Sequence, residues 1–141
     1  SGHTKKTDRG KRGRSGRFRA LTITLRGELG AGKTTLIKGI YKGLGVRARV
    51  TSPTFILMRR SALLRSVAAR AGFKNVYHVD AYRLRDPKAM EVLGFKEILA
   101  DPENIVIVEW PERLGRLLAA PAVKLTLNHG KKEHERTVAV K

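Results

Sequence analysis

The segment Gly27-Glu28-Leu29-Gly30-Ala31-Gly32-Lys33-Thr34 fits the pattern G-x-x-x-x-G-K-[ST], and it constrains the fold more than any other feature of the chain. Such a run needs a strand before it and a helix after it. Its glycines let the backbone bend around an anion with the N–H groups turned inward, where a Cβ would collide with the bound group. Lys33 adds a point charge, and Thr34 offers a hydroxyl at the start of a helix whose free N–H groups and dipole favour negative charge. These properties together describe a loop that holds the phosphates of a nucleoside triphosphate, with Mg²⁺ at the threonine.

The flanking sequence has the required form. Leu21-Thr22-Ile23-Thr24-Leu25 is apolar and β-branched, as in a buried strand. After Thr34, the residues Leu36, Ile37, Ile40, Tyr41 and Leu44 recur at helical spacing, and Gly45 suits the position just past a helix end.

Farther along, Phe55-Ile56-Leu57-Met58 reads as extended after Thr51-Ser52-Pro53-Thr54, and Arg59 to Gly72 reads as a short basic amphipathic helix. Val76 to Asp80 is a strand ending on a carboxylate. Asp86-Pro87 predicts the N-cap and first residue of a helix running through Met90 and Leu93 to Gly94, with a further helical segment from Phe95 to Ala100. Ile105-Val106-Ile107-Val108-Glu109-Trp110 is the most apolar strand, and belongs at the centre of a parallel sheet. Pro111 to Leu118 has a helical pattern. Val123 to Leu127 and Arg136 to Val140, joined across Asn128 to Lys131, read as a closing hairpin. The expected fold is therefore α/β: a mainly parallel sheet flanked by helices, of the phosphate-loop NTPase kind, with a C-terminal β-hairpin.

Length and charge set the limits of this reading. The chain has 141 residues, enough for one domain with a real core, and 30 Lys and Arg against 12 Asp and Glu give a net charge of +18. Residues 1–19 carry eight basic residues, one acid and almost nothing apolar, so they read as a flexible basic tail, with the phosphate-loop domain over 20–141. Attraction of that tail, or of the Arg59 to Arg70 segment, to RNA phosphates is one expectation, and a merely solvated charged surface is the other. The chain has no cysteine, which excludes a Cys-ligated zinc site and a disulfide framework. No apolar run has membrane-spanning length and none resembles a signal peptide, so a cytoplasmic location without membrane contact is expected.

A phosphate loop needs an acid on the metal side, commonly at the carboxyl end of a hydrophobic strand. Glu109 follows four branched aliphatics and is the favoured Mg²⁺ partner, the alternative being a hydrogen-bonded carboxylate at the edge of the core. Asp80 suits the metal's water shell or the attacking water, or else a pair with Arg83 or Arg85. Thr51 stands where a switch hydroxyl could sense a γ-phosphate, in a run that is equally an ordinary turn. On local grounds Trp110 belongs to the core. His78, His129 and His134 have no metal-ligand spacing and read as structural or surface residues.

Four segments occur together: Gly27 to Thr35, Thr51-Ser52-Pro53-Thr54-Phe55, His78-Val79-Asp80-Ala81-Tyr82-Arg83-Leu84 and Glu109-Trp110-Pro111-Glu112. In order and approximate spacing they resemble the TsaE (YjeE) family, the ATPase component of bacterial tRNA threonylcarbamoyladenosine synthesis. The resemblance covers roughly Leu21 to Val140. It implies ATP and Mg²⁺ as cofactors, Lys33 on the phosphates, Thr34 and Glu109 on the metal, Thr51 and Asp80 at the active centre, and Trp110 beside the nucleotide. It further implies the subunits TsaD and TsaB as partners and service to the modification of adenosine 37 in tRNAs that read codons beginning with A; hydrolysis by the isolated chain is expected to be slow, because phosphate-loop enzymes commonly need a partner to complete the catalytic arrangement. Two rival functions remain at this point, a small-molecule kinase of the same fold and an RNA-binding module with a nucleotide switch.

Overall fold

A computed structural model describes residues 19–28, 32–47, 57–118, 121–130 and 136–141. The first strand, β1 (Leu21–Arg26), leads through Gly27 to helix α1 (Lys33–Gly43), as the loop motif requires. Strand β2 (Met58–Ala62) and helix α2 (Arg65–Ala71) follow, then β3 (Asn75–Asp80), the short helices α3 (Lys88–Val92) and α4 (Phe95–Ala100), β4 (Asn104–Glu109), and the hairpin strands β5 (Val123–His129) and β6 (Arg136–Val140). They form one six-stranded sheet in the order β2-β3-β4-β1-β5-β6. The four inner strands are parallel, and both edges are antiparallel. The expected mainly parallel α/β sheet with a closing hairpin is therefore what forms.

Every residue of β4 is buried, because β3 and β1 flank it and both sheet faces are covered. Alternation divides the core in two. Leu25, Val76, Ile105 and Ile107 pack with Ile37 and Tyr41 of α1, whereas Val79, Val106 and Val108 pack with Met90, Phe95 and Leu114 on the other side. Helix α1 ends where the sequence indicates. Gly45 has φ 69°, and a Cβ there would lie 2.8 Å from that of Leu64, so both conformation and space demand glycine.

Several local expectations need correction. Arg59 to Gly72 is not one helix: Met58–Ala62 pairs antiparallel with β3, and only Arg65–Ala71 is helical, with no buried residue. Pairing of the sheet edge outweighs local helical preference there, helped by Arg60 Nε donating to Asn75 Oδ1 at 3.1 Å. Pro111 to Leu118 forms two 3₁₀ turns, Pro111–Arg113 and Gly115–Leu117, separated by the break before Gly115 at φ 54°. Strand β4 stops at Glu109, since Trp110 takes the left-handed φ of 58°. Strand β5 extends through Asn128 and His129, which were expected in the turn. Helix α3 starts one residue late, yet Asp86 Oδ1 still accepts the Lys88 N–H at 3.0 Å. The tail up to residue 18 and residues 48–56 lie outside the described residues. No helix among the described residues is long and apolar enough to cross a membrane.

Candidate functional site

Parallel strands bring their carboxyl ends to one side of the sheet, and three of the expected residues arrive there together. β1 runs out into Gly27, β3 ends on Asp80 and β4 on Glu109, with Leu25 and Asp80 each in register with Glu109. The Ala81 N–H donates to the Glu109 carbonyl at 3.1 Å and ties the ends of β3 and β4 together.

Lys33 is the first residue of α1 and is buried, at 6% exposure. A buried ammonium must be compensated. Here Nζ donates to the Gly27 carbonyl at 2.7 Å, closing the loop from its last turn to its first residue, and lies 4.2 Å from the centroid of the Trp110 ring. Trp110 in turn stands 4.9 Å from Tyr82, ring centroid to centroid. Trp110 thus both packs against the cluster of Val79, Val106 and Val108 and faces the loop lysine. Thr34 and Thr35, in the first turn of α1, are exposed.

Glu109 is 7% exposed and His78 2%, and His78 Nε2 lies 2.7 Å from Glu109 Oε2. Alternation explains the meeting: His78 shares a face with Val76 and Asp80, and Glu109 with Ile105 and Ile107, so both project towards the α1 side. The hydrogen-bonded carboxylate at the edge of the core is therefore present in fact. His78 was read as structural or surface. It is indeed buried, but its partner is the acid expected at the metal, a link for which the sequence offered only the two-residue alternation of His78 and Asp80. Asp80 is half-buried, and its Oδ1 accepts the Tyr82 N–H at 3.1 Å.

Among the described residues no group of three or more His, Cys, Asp or Glu could hold a metal ion by itself. A P-loop Mg²⁺ does not need one, since one or two protein oxygens complete a shell otherwise made of phosphates and water. The Thr34 hydroxyl and the Glu109 carboxylate are hard oxygen donors of that kind. Leu29, Gly30 and Ala31 of the loop, Thr51 and His134 lie outside the described residues.

Beside the start of the loop runs a groove of about 440 Å³, walled by Gly27, Glu28, Trp110, Glu112, Arg113, Leu127, Asn128 and His129. Glu112 is held by Arg26 at 2.7 Å. That pair is about half exposed, so it fixes geometry more than it adds stability.

A family model described as threonylcarbamoyl adenosine biosynthesis protein TsaE matches residues 4–138. The chain belongs to the TsaE family. Curated relatives agree: the tRNA threonylcarbamoyladenosine biosynthesis protein TsaE of Haemophilus influenzae is 38% identical over 67% of this chain and 54% of its own length. The TsaE of Streptomyces coelicolor is 45% identical over 64% of this chain and 56% of its own, and that of Rickettsia typhi 35% over 74% and 67%. The match thus spans little more than half the length of the first two TsaE relatives. A solved structure of Bacillus subtilus YdiB superposes with a TM-score of 0.54 at 23% identity, covering 85% of this chain and 66% of that one, which supports the P-loop NTPase-like fold. TsaE membership links the chain to threonylcarbamoyladenosine biosynthesis by family.

Proposed function

We propose that the chain binds MgATP at the 27–35 loop and hydrolyses it as a component of tRNA threonylcarbamoyladenosine synthesis, in the cytoplasm, with TsaD and TsaB as its protein partners. The observation that carries this reading is Lys33, a buried ammonium at a helix start, drawn across the loop to the Gly27 carbonyl and capped by Trp110. A lysine there is costly to desolvate, and a polyphosphate is the ligand that best uses it.

The roles follow from chemistry and position. Hydrolysis joins a water oxygen to the γ-phosphorus and breaks its bond to the bridging oxygen of ADP, with bound Mg²⁺ offsetting charge on the phosphate oxygens. The backbone N–H groups of Gly27 to Thr35 and the Lys33 ammonium hold the phosphates. Thr34 and Glu109 are the metal's protein oxygens, with His78 fixing the Glu109 carboxylate. Asp80 orients the attacking water, Thr51 senses the γ-phosphate, and Trp110 lies beside the nucleotide. The isolated chain is slow because a partner surface completes the arrangement.

Calorimetric titration with MgATP, and ATPase and tRNA modification assays with and without TsaD and TsaB, test the reading. Nucleotide binding and a modification yield that depends on the chain are expected. Label transfer from ATP to a small hydroxyl acceptor instead of water would assign a kinase.

A further inference from the structure

We propose that the outer surface of α1 and α2, with the adjoining edge of β2, binds the phosphate backbone of an RNA. The chain divides its charge unevenly: from Leu29 to Val79 it has ten Lys and Arg and no acid, whereas Asp80 to Glu112 holds eight of the 12 acids. The fold turns this division in sequence into a division in space. Helices α1 and α2 lie on one face of the sheet, where Leu63, Val67 and Ala68 pack with Ile37 and Tyr41. They meet closely at Gly45, whose missing Cβ leaves room for Leu64. Lys38 and Lys42, one turn apart on α1, Arg47 just past its end, and Arg65 and Arg70 of α2 are all exposed. Arg59 joins them from β2: it stands opposite His78, and so on the α1 face, where its charge is felt by Tyr41. Arg60 points to the other face, and Asn75 engages it.

Among the described residues none of these six cations has an ion pair, and α1, β2 and α2 carry no carboxylate side chain. The helices of the opposite face are balanced instead: Lys96 of α4 pairs with Glu91 of α3 at 3.4 Å, and Lys88 and Glu97 lie on the same two helices. Like charges gathered without an acid repel one another, and a polyanion is the ligand that relieves this. Four of the six are arginines, whose guanidinium forks match phosphate oxygens two at a time. An anionic membrane would need apolar anchors beside the charges, and among the described residues Leu64 is the one large apolar side chain exposed on these elements. The surface is also separate from the phosphate loop, since Lys42 lies roughly 13 Å along the α1 axis from Lys33. RNA on this face and a nucleotide at the loop do not compete. Charge carries the proposal whether or not the loop binds ATP, and the function proposed above only names tRNA as the RNA to try.

The test measures binding of an unmodified tRNA transcript to the full chain by fluorescence anisotropy across a salt series. It compares the wild type, Arg65→Gln/Arg70→Gln, and Lys88→Gln/Lys96→Gln on the opposite face, with circular dichroism to establish that each variant is folded. Both double variants lose two positive charges, so net charge alone cannot separate them. The α2 variant should bind tRNA roughly tenfold more weakly, with the slope of log affinity against log salt flattened by about 1.5 to 2, while the opposite-face variant stays within about twofold of wild type. An α2 variant indistinguishable from wild type, equal loss in the two variants, or no tRNA binding by the wild type would overturn the proposal. Capture of the wild type by phosphatidylserine vesicles but not by tRNA would assign the face to a membrane instead. Titration of the same proteins with MgATP reads the loop separately: ATP binding without tRNA binding removes this surface alone, and tRNA binding without ATP binding removes only the phosphate site.

Discussion

The two faces of the sheet bury different chemistry. On the α1 face, Lys33, His78 and Glu109 are buried at the carboxyl ends of the strands, all three able to carry charge. On the opposite face Val79, Val106 and Val108 meet Met90, Phe95 and Leu114, and the polar groups buried on that face, Thr22, Thr24 and Asn104, are uncharged. Asn104 there is engaged at both ends of its amide: Nδ2 donates to the Ile98 carbonyl at 3.0 Å, and Oδ1 accepts from Asn75 at 3.2 Å. Both faces rest on the same parallel strands, so the difference is not one of architecture. Burying charge is expensive, and a fold bears that cost where a ligand uses it. Both faces bury an apolar cluster, and only the α1 face adds buried ionisable groups to it.

The largest expected effect lies on the apolar face. Phe95→Ala removes a fully buried ring and should cost about 3–5 kcal/mol in denaturant unfolding, lowering activity only in proportion to the fraction unfolded. On the other face, Lys33→Ala should lower ATP affinity or turnover by roughly a hundredfold or more, with the protein still folded by circular dichroism. If Lys33→Ala instead unfolds the chain as Phe95→Ala does, the ammonium is part of the scaffold and the contrast between the faces collapses.

The two acids sharpen the same contrast from within the α1 face. Glu109→Gln keeps size and hydrogen bonding to His78 but removes the charge, so the Mg²⁺ concentration for half-maximal activity should rise by about tenfold. Asp80→Asn should lower the rate with little change in that midpoint. A shifted metal midpoint in Asp80→Asn alone would exchange the two roles.

How much of this was legible in the sequence depended on whether the information was local. The phosphate loop is a linear motif with a strand before it and a helix after, and β4 declares itself through Ile105 to Val108. The hairpin follows from two apolar runs around a turn. β2 was missed because an edge strand is made by its neighbour: Met58–Ala62 carries two arginines and little apolar alternation, and it is extended because β3 pairs with it. The His78 to Glu109 contact depends on the register between two strands that lie 31 positions apart in sequence, which no window of residues contains. Trp110 packs against the core as its residue type suggests, and its ring also lies over the Lys33 ammonium, a contact between residues 77 positions apart that no local window contains.

Tyr41 is the intermediate case, a polar tip on the α1 face with no charge at neutral pH, and it carries the smallest predicted effect. Burial raises its phenol above the ordinary 10.0, while the hydrogen bond to Ser61 and the Arg59 charge oppose that rise. The folded chain therefore holds this proton more tightly than the unfolded chain does, so its contribution to stability is complete below pH 10 and is lost as pH climbs past it. Tyr41→Phe deletes both the hydrogen bond and the titration. At pH 8 the variant should lie within about 1 kcal/mol of wild type, the net worth of one hydrogen bond. Above pH 10 the wild type should lose stability more steeply than the variant, which paired urea titrations at the two pH values would read directly. Parallel slopes would mean that the phenol is solvated in practice and that the apolar packing between α1 and β2 is looser than its burial indicates.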